Sequence, residues 1–135
     1  MLDFSQDKYS TKKANTEGVQ YIFCDPATGE ELFEDDDETK PVCAYLLGKD
    51  SKEYKAYISE IESKFRGKKA PVGSKAKQLG YDLLARCTLR FERVGLNGKE
   101  VESSHAGAVD FYKACDWARE QVDNFIVERA NFLGR

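Results

Sequence analysis

Residues 103–135, SSHAGAVDFYKACDWAREQVDNFIVERANFLGR, decide how the rest of the chain is read. The stretch holds the single Trp and the single His of the protein and its densest run of large apolar residues. Ser103 or Ser104 suits an N-cap, because a serine hydroxyl there accepts from an otherwise unpaired amide of the first helical turn. Val109, Phe111, Tyr112 and Cys115 follow at helical spacing. Asp116 interrupts this apolar pattern and suits the cap of a second helix beginning at Trp117. In that second piece Ala118, Val122, Phe125, Ile126, Arg129 and Leu133 share one face, and Arg119, Glu120, Asp123 and Glu128 fall mostly off it. Gly134 supplies the stop. Two helices, or one kinked helix, are expected to turn an apolar face to a core.

Working outward, the 135 residues suffice for one domain that buries on the order of two-thirds of its unfolded surface. Twenty-one basic side chains stand against 24 acidic ones, a net charge of -3. Neither a basic excess that draws a chain to nucleic acid nor an acidic excess that imitates it is present, so no nucleic-acid partner is expected. No apolar run approaches the roughly 18 residues needed to span a membrane, and the opening MLDFSQDKYS does not read as a signal peptide. A soluble protein without a membrane partner is the expectation. Cys24, Cys43, Cys87 and Cys115 are widely spaced, with no Cys-x-x-Cys pair and one distant His105, so reduced cysteines are favoured over a metal site or disulfides. No metal and no cofactor are expected.

Residues 1–17 are polar and mixed in charge, which reads as a flexible arm ahead of one domain over 18–135. Leu2, Phe4 and Tyr9 leave room for a short strand or a segment that orders on a partner. Val19, Tyr21 and Phe23 alternate with Gln20 and Ile22 as a strand does. Asp25-Pro26-Ala27-Thr28-Gly29 is turn chemistry, and Glu31, Leu32 and Phe33 suit the returning strand. Five consecutive acids, Glu34 to Glu38, favour a solvated loop. A calcium loop alternates its ligands and bends at a Gly, and this run does neither. Val42 to Leu47 is apolar on both faces, a strand covered on both sides or facing a partner on one. Asp50 with Glu53 makes a capping box for a helix whose Tyr54, Tyr57, Ile58, Ile61 and Phe65 share a face. RGKKAPVGSKAK, residues 66–77, reads as an exposed basic connection; it suits phosphates, the acidic loop of a neighbouring copy, or plain solvation, and solvation is favoured. From a Ser74 cap, Leu79, Leu83 and Cys87 predict a helix through about Arg93, although Cys87, Leu89 and Phe91 also alternate as a strand would. Asn97-Gly98 is a turn. The fold class expected is α+β: a small N-terminal antiparallel hairpin or sheet followed by a helical part of three to four helices.

No catalytic constellation is written locally. His105 sits beside the candidate cap Ser104 without a partner in its sequence neighbourhood, and neither a nucleophile elbow nor a phosphate loop is present. An enzyme is not expected.

The residues of the final stretch also carry a resemblance. Trp117, Arg119, Glu120, Gln121, Val122, Asp123, Phe125, Ile126, Arg129, Ala130, Asn131 and Phe132 resemble the C-terminal signature of the tail assembly chaperones of long-tailed bacteriophages. Upstream, CDPATGEEL (24–32), LLGKDSKEYKAY (46–57) and LLARCTLRFERVGLNGKE (83–100) extend the resemblance in the same order over most of the chain. The resemblance implies a binding protein without catalysis that coats the tape measure protein and recruits the major tail tube protein during tail morphogenesis. It implies action in the cytoplasm of an infected or lysogenic bacterial host and absence from the mature virion. It further implies a longer frameshifted form as a possible partner, with this chain ending where the short form would, and leaves self-association open. Other classes to weigh are a structural tail component, such as a completion or connector protein, and a small regulatory or inhibitory protein. Arg129, Asn131 and Phe132, with Phe125 and Trp117, are the candidate partner-binding residues. Phe132 either grips a partner or staples the last helix to the core, Arg129 either grips or pairs with a nearby acid, and Trp117 favours the core.

Overall fold

Alternating Val19 and Tyr21 become strand β1 (Val19–Ile22), with Phe23 just past its end, in the computed structural model, which describes residues 1–134. Arg135, the last residue of the expected domain, lies outside the described residues. β1 runs antiparallel to β2 (Cys43–Leu46), with Val19 opposite Leu46 and Ile22 opposite Cys43. Between them the Asp25 carboxylate accepts the Ala27 amide at 2.8 Å and the Gly29 amide donates to the Asp25 carbonyl at 2.8 Å. That is the forward bonding by which aspartate starts a turn. The expected returning strand at 31–33 shrinks to isolated bridges, Cys24 with Glu31 and Phe33 with Pro41. The acidic run forms a single exposed 3₁₀ turn, Glu34–Asp36, inside an irregular loop.

β2 is the central strand, paired along both edges, and its two faces are covered differently. Ala44 and Leu46 join the main core. On the opposite face neighbouring polar side chains do the covering: the Gln20 amide reaches the Cys43 sulfur at 3.5 Å, and the Arg90 guanidinium lies 3.6 Å from the Tyr45 ring centroid.

The second edge of β2 is taken by β3 (Thr88–Glu92), with Ala44 opposite Phe91. This corrects the expected helix through Arg93: helix α3 (Ser74–Arg86) stops seven residues earlier than that, at Arg86. Its leucine pattern is real, but pairing with β2 satisfies the backbone of 88–92 as well as a helix would and also buries Phe91. The Thr88 hydroxyl marks the junction, bonding the Leu84 carbonyl at 2.7 Å and the buried Tyr112 hydroxyl at 2.6 Å. The third strand therefore enters the sheet after two helices. Beyond it, β4 (Gly95–Leu96) and β5 (Lys99–Glu100) form a hairpin on Asn97-Gly98. Both turn residues have positive φ, +54° and +78°, the type I′ geometry this dipeptide favours.

Helix α2 (Lys52–Phe65) begins one residue away from the expected cap. Ser51, fully buried, accepts the Tyr54 amide at 3.2 Å, and Asp50 turns instead to Arg129. Gly73 rather than Ser74 caps α3. Helix α4 (His105–Ala114) starts from Ser104, whose hydroxyl accepts the Gly107 amide at 3.0 Å. Cys115 separates it from α5 (Asp116–Val127), so the final stretch is two helices. Asp116 is the first residue of α5 rather than its cap; its charge there suits the positive end of the helix dipole. α5 stops at Val127 and a 3₁₀ turn, Arg129–Phe132, follows, which takes Arg129 and Leu133 off the expected helical face.

The core lies where the sheet meets α4 and α5. Phe23, Ala44, Leu46 and Phe91 pack against Phe111, Tyr112, Ala118, Val122 and Ile126, with Leu84 and Ala85 of α3 beside them. The architecture is α+β, as the patterning implies, around a three-stranded antiparallel sheet ordered β1-β2-β3. The segment expected as a free arm behaves differently at its end. Short helix α1 (Ala14–Glu17) buries Ala14 and Asn15, and the Asn15 side-chain Oδ1 accepts the Gly48 amide at 2.6 Å. A small apolar side chain and one side-chain bond to the backbone tie this short helix down.

Candidate partner-binding surface

Phe132 ends the last 3₁₀ turn with its ring 1 % exposed. It packs with Ala14 and Val19, and its ring centroid lies 5.5 Å from that of Phe125. Gly48 lets it come so close: a Cβ there would sit 2.8 Å from one ring carbon and 2.9 Å from the next. Of the two readings of Phe132, the ring occupies the staple position and offers no surface to a partner in this conformation. Phe125 is half-buried between Phe132 and Tyr21, 4.9 Å from the latter. The Asn131 side-chain amide donates to the Phe125 carbonyl at 3.0 Å, closing the helix end on itself.

Arg129 pairs with an acid. Its guanidinium forks onto Asp50, Nη2 to Oδ1 at 2.9 Å and Nε to Oδ2 as the second prong. The bond from Arg129 holds the Asp50 carboxyl below its ordinary range, and Asp50 in turn pushes the guanidinium up. The pair stays at the surface, Arg129 being 55 % exposed. Trp117 differs from the core placement favoured by its size. It stands on the first turn of α5 and is 38 % exposed. About 15 Å of helix separates it from the C-terminal end of α5, so the five candidate residues do not form one patch. Four of them close the C-terminus onto the body, and Trp117 alone presents a large apolar surface.

Gln121 carries a role that sequence reasoning missed. Its side-chain amide faces the backbone of Cys24 as a neighbouring strand would, donating to the carbonyl at 2.8 Å and accepting the amide at 2.9 Å. The same oxygen accepts the Tyr21 hydroxyl at 2.9 Å. Burial first, then the neighbouring Cys24 and Glu31, pushes the Tyr21 hydroxyl up to about 12. Only the motif match around Trp117 marks Gln121 in the sequence; its helical spacing does not.

Two surface features lie on the other side of α5. A groove of about 370 Å³ runs between α3 and α5, floored by Ala76, Gly80, Tyr81 and Leu84 and rimmed by Lys77, Asp116, Arg119 and Asp123. The basic connection that leads into α3 is exposed along residues 66–70, and Val72 within it is 82 % exposed. His105 ties helices together at the surface: its Nε2 lies 3.4 Å from Asp82, which also accepts the Tyr57 hydroxyl at 3.4 Å. All four cysteines are free thiols. Burial pushes the Cys87 thiol up to about 12. Among the described residues no cluster of His, Cys, Asp or Glu is placed to hold a metal ion, and no helix is long and apolar enough to cross a membrane. Comparisons with protein-family models, with curated proteins and with solved structures gave no match to this chain.

Proposed function

We propose that this chain is a non-catalytic tail assembly chaperone of a long-tailed bacteriophage, which binds the tape measure protein and recruits the major tail tube protein during tail morphogenesis. The observation that carries the reading is the series of four blocks, 24–32, 46–57, 83–100 and 110–133, in family order. In the fold these blocks pack on one another. Gln121 of the last block grips Cys24 of the first, Arg129 grips Asp50 of the second, and the Leu47 amide donates to the Cys87 carbonyl of the third at 2.8 Å. An exposed Trp117 with polar neighbours on α5 is the kind of anchor that transient interfaces use. The protein works, on this reading, in the cytoplasm of an infected or lysogenic host and leaves before the virion matures.

Co-expression with the tape measure protein of the same genome tests this. The expected outcome is a tape measure protein held in solution and co-purified with many copies of this chain. A tape measure protein that precipitates, with this chain present in purified virions, assigns a structural tail component instead.

A further inference from the structure

Between Glu62 and Asp82 the chain carries no acidic residue and six cations: Lys64, Arg66, Lys68, Lys69, Lys75 and Lys77. All six are exposed. None of them meets a carboxylate within ion-pair distance among the described residues, and Arg66 is the one described arginine of which that is true. In a chain whose net charge is -3, this is a segregated positive surface with unspent charge. It is also continuous with the α3–α5 groove, because the connection runs directly into α3 and Lys77 stands on the groove rim. The groove floor is apolar, and above Gly80 the space is open, with no atom within 4 Å of where a Cβ would stand. Across from the cations, Asp116 and Asp123 line the α5 wall.

We infer that the groove and the basic connection form one docking surface for an acidic amphipathic helix of a partner protein. Its apolar face lies on Ala76, Gly80 and Leu84, and its carboxylates face Lys68, Lys69, Lys75 and Lys77. A cleft between two helices with an apolar floor and charged rims is the shape that takes a helix. The unpaired cations on one side set the sign of its flank and its orientation. Asp116 and Asp123 repel a phosphate backbone, which separates this surface from a nucleic-acid site. The inference rests on the chaperone reading for the identity of the partner and names the surface of this chain that would hold it.

The test uses the full chain co-expressed with the tape measure protein of the same genome, as wild type, as Lys68→Glu with Lys69→Glu, and as Gly80→Leu. These positions are exposed, so the charge reversal is expected to melt within about 2 °C of wild type, and Gly80→Leu, which removes a glycine from a helix interior, to melt no lower than wild type. Both variants are expected to lower the co-purified partner by about tenfold or more. Carbodiimide, which joins amines to carboxylates without a spacer, is expected to link Lys68, Lys69, Lys75 or Lys77 to Asp or Glu of the partner. Folded variants that recruit as well as wild type overturn the surface and leave the function standing. A wild-type chain that recruits nothing overturns the function, and this partner with it. Salt-sensitive retention of duplex DNA that the charge reversal abolishes overturns the helix in favour of a polyanion.

Discussion

Phe132 follows the last helix in a 3₁₀ turn, and its ring is closed off by residues far back along the chain. Ala14, Val19 and Gly48 form its pocket, and only a residue without a side chain fits at 48. Truncating the ring removes its buried area and leaves a cavity whose walls belong to several elements. Phe132→Ala is therefore expected to cost about 3–5 kcal/mol, read as a lower urea midpoint at unchanged slope. Trp117 supplies the contrast at the same scale. Its indole is partly in water already, so Trp117→Ala is expected to move the melting temperature by only a few degrees while reducing partner recovery in the co-expression experiment. A melting temperature that collapses for Trp117→Ala would return that residue to the core.

At the scale of elements, the join between α5 and the end of β1 depends on one side chain. Past Ile22 the chain bridges Glu31 at Cys24 on one side only, and on the other Gln121 answers both the backbone donor and the acceptor of Cys24. Gln121→Leu keeps the volume and removes all three hydrogen bonds, leaving part-buried backbone groups and the Tyr21 hydroxyl unanswered. The expected cost is about 1–3 kcal/mol, with faster hydrogen exchange at the Cys24 amide as the local sign. Gln121→Glu offers acceptors only and is expected to keep the bonds from Tyr21 and the Cys24 amide while losing the one to the Cys24 carbonyl. An unchanged Cys24 exchange rate in Gln121→Leu would show that the clamp is idle.

For the whole molecule, the buried titratable groups give stability an alkaline edge. Burial raises the Cys87 thiol from 9.0 to about 12 and, with its neighbours, the Tyr21 hydroxyl from 10.0 to about 12. Burial also raises Tyr112, whose hydroxyl sits against Thr88. Below about pH 9 these groups are protonated in folded and unfolded chains alike and contribute no slope. Between about 9 and 12 the unfolded chain has released protons that the folded chain still holds, so stability falls as pH rises. Urea midpoints measured from pH 8 to 11 are expected to be level at first and then decline. Cys87→Ala is expected to begin from a lower midpoint and to decline less steeply in the first part of that window.

Local chemistry was readable wherever it is completed by near neighbours. The Asp25–Gly29 turn, the Asn97-Gly98 hairpin turn, the Ser104 cap and the break between α4 and α5 each follow from bonds spanning a few residues. The apolar double face of 42–47 likewise announces a strand, covered on both sides or facing a partner on one. What the sequence alone left open depends on partners far along the chain. Residues 88–92 show both periods and read as the end of a helix on length, until β2 offers an edge to pair with and makes them a strand. Asp50 reads as a cap until Arg129, 79 residues later, takes its carboxylate. Phe132 reads as a grip or a staple until Ala14 and Gly48 close over it. In each case local propensities differ by a fraction of a kcal/mol, while the tertiary contact is worth one or more, so the long-range contact decides.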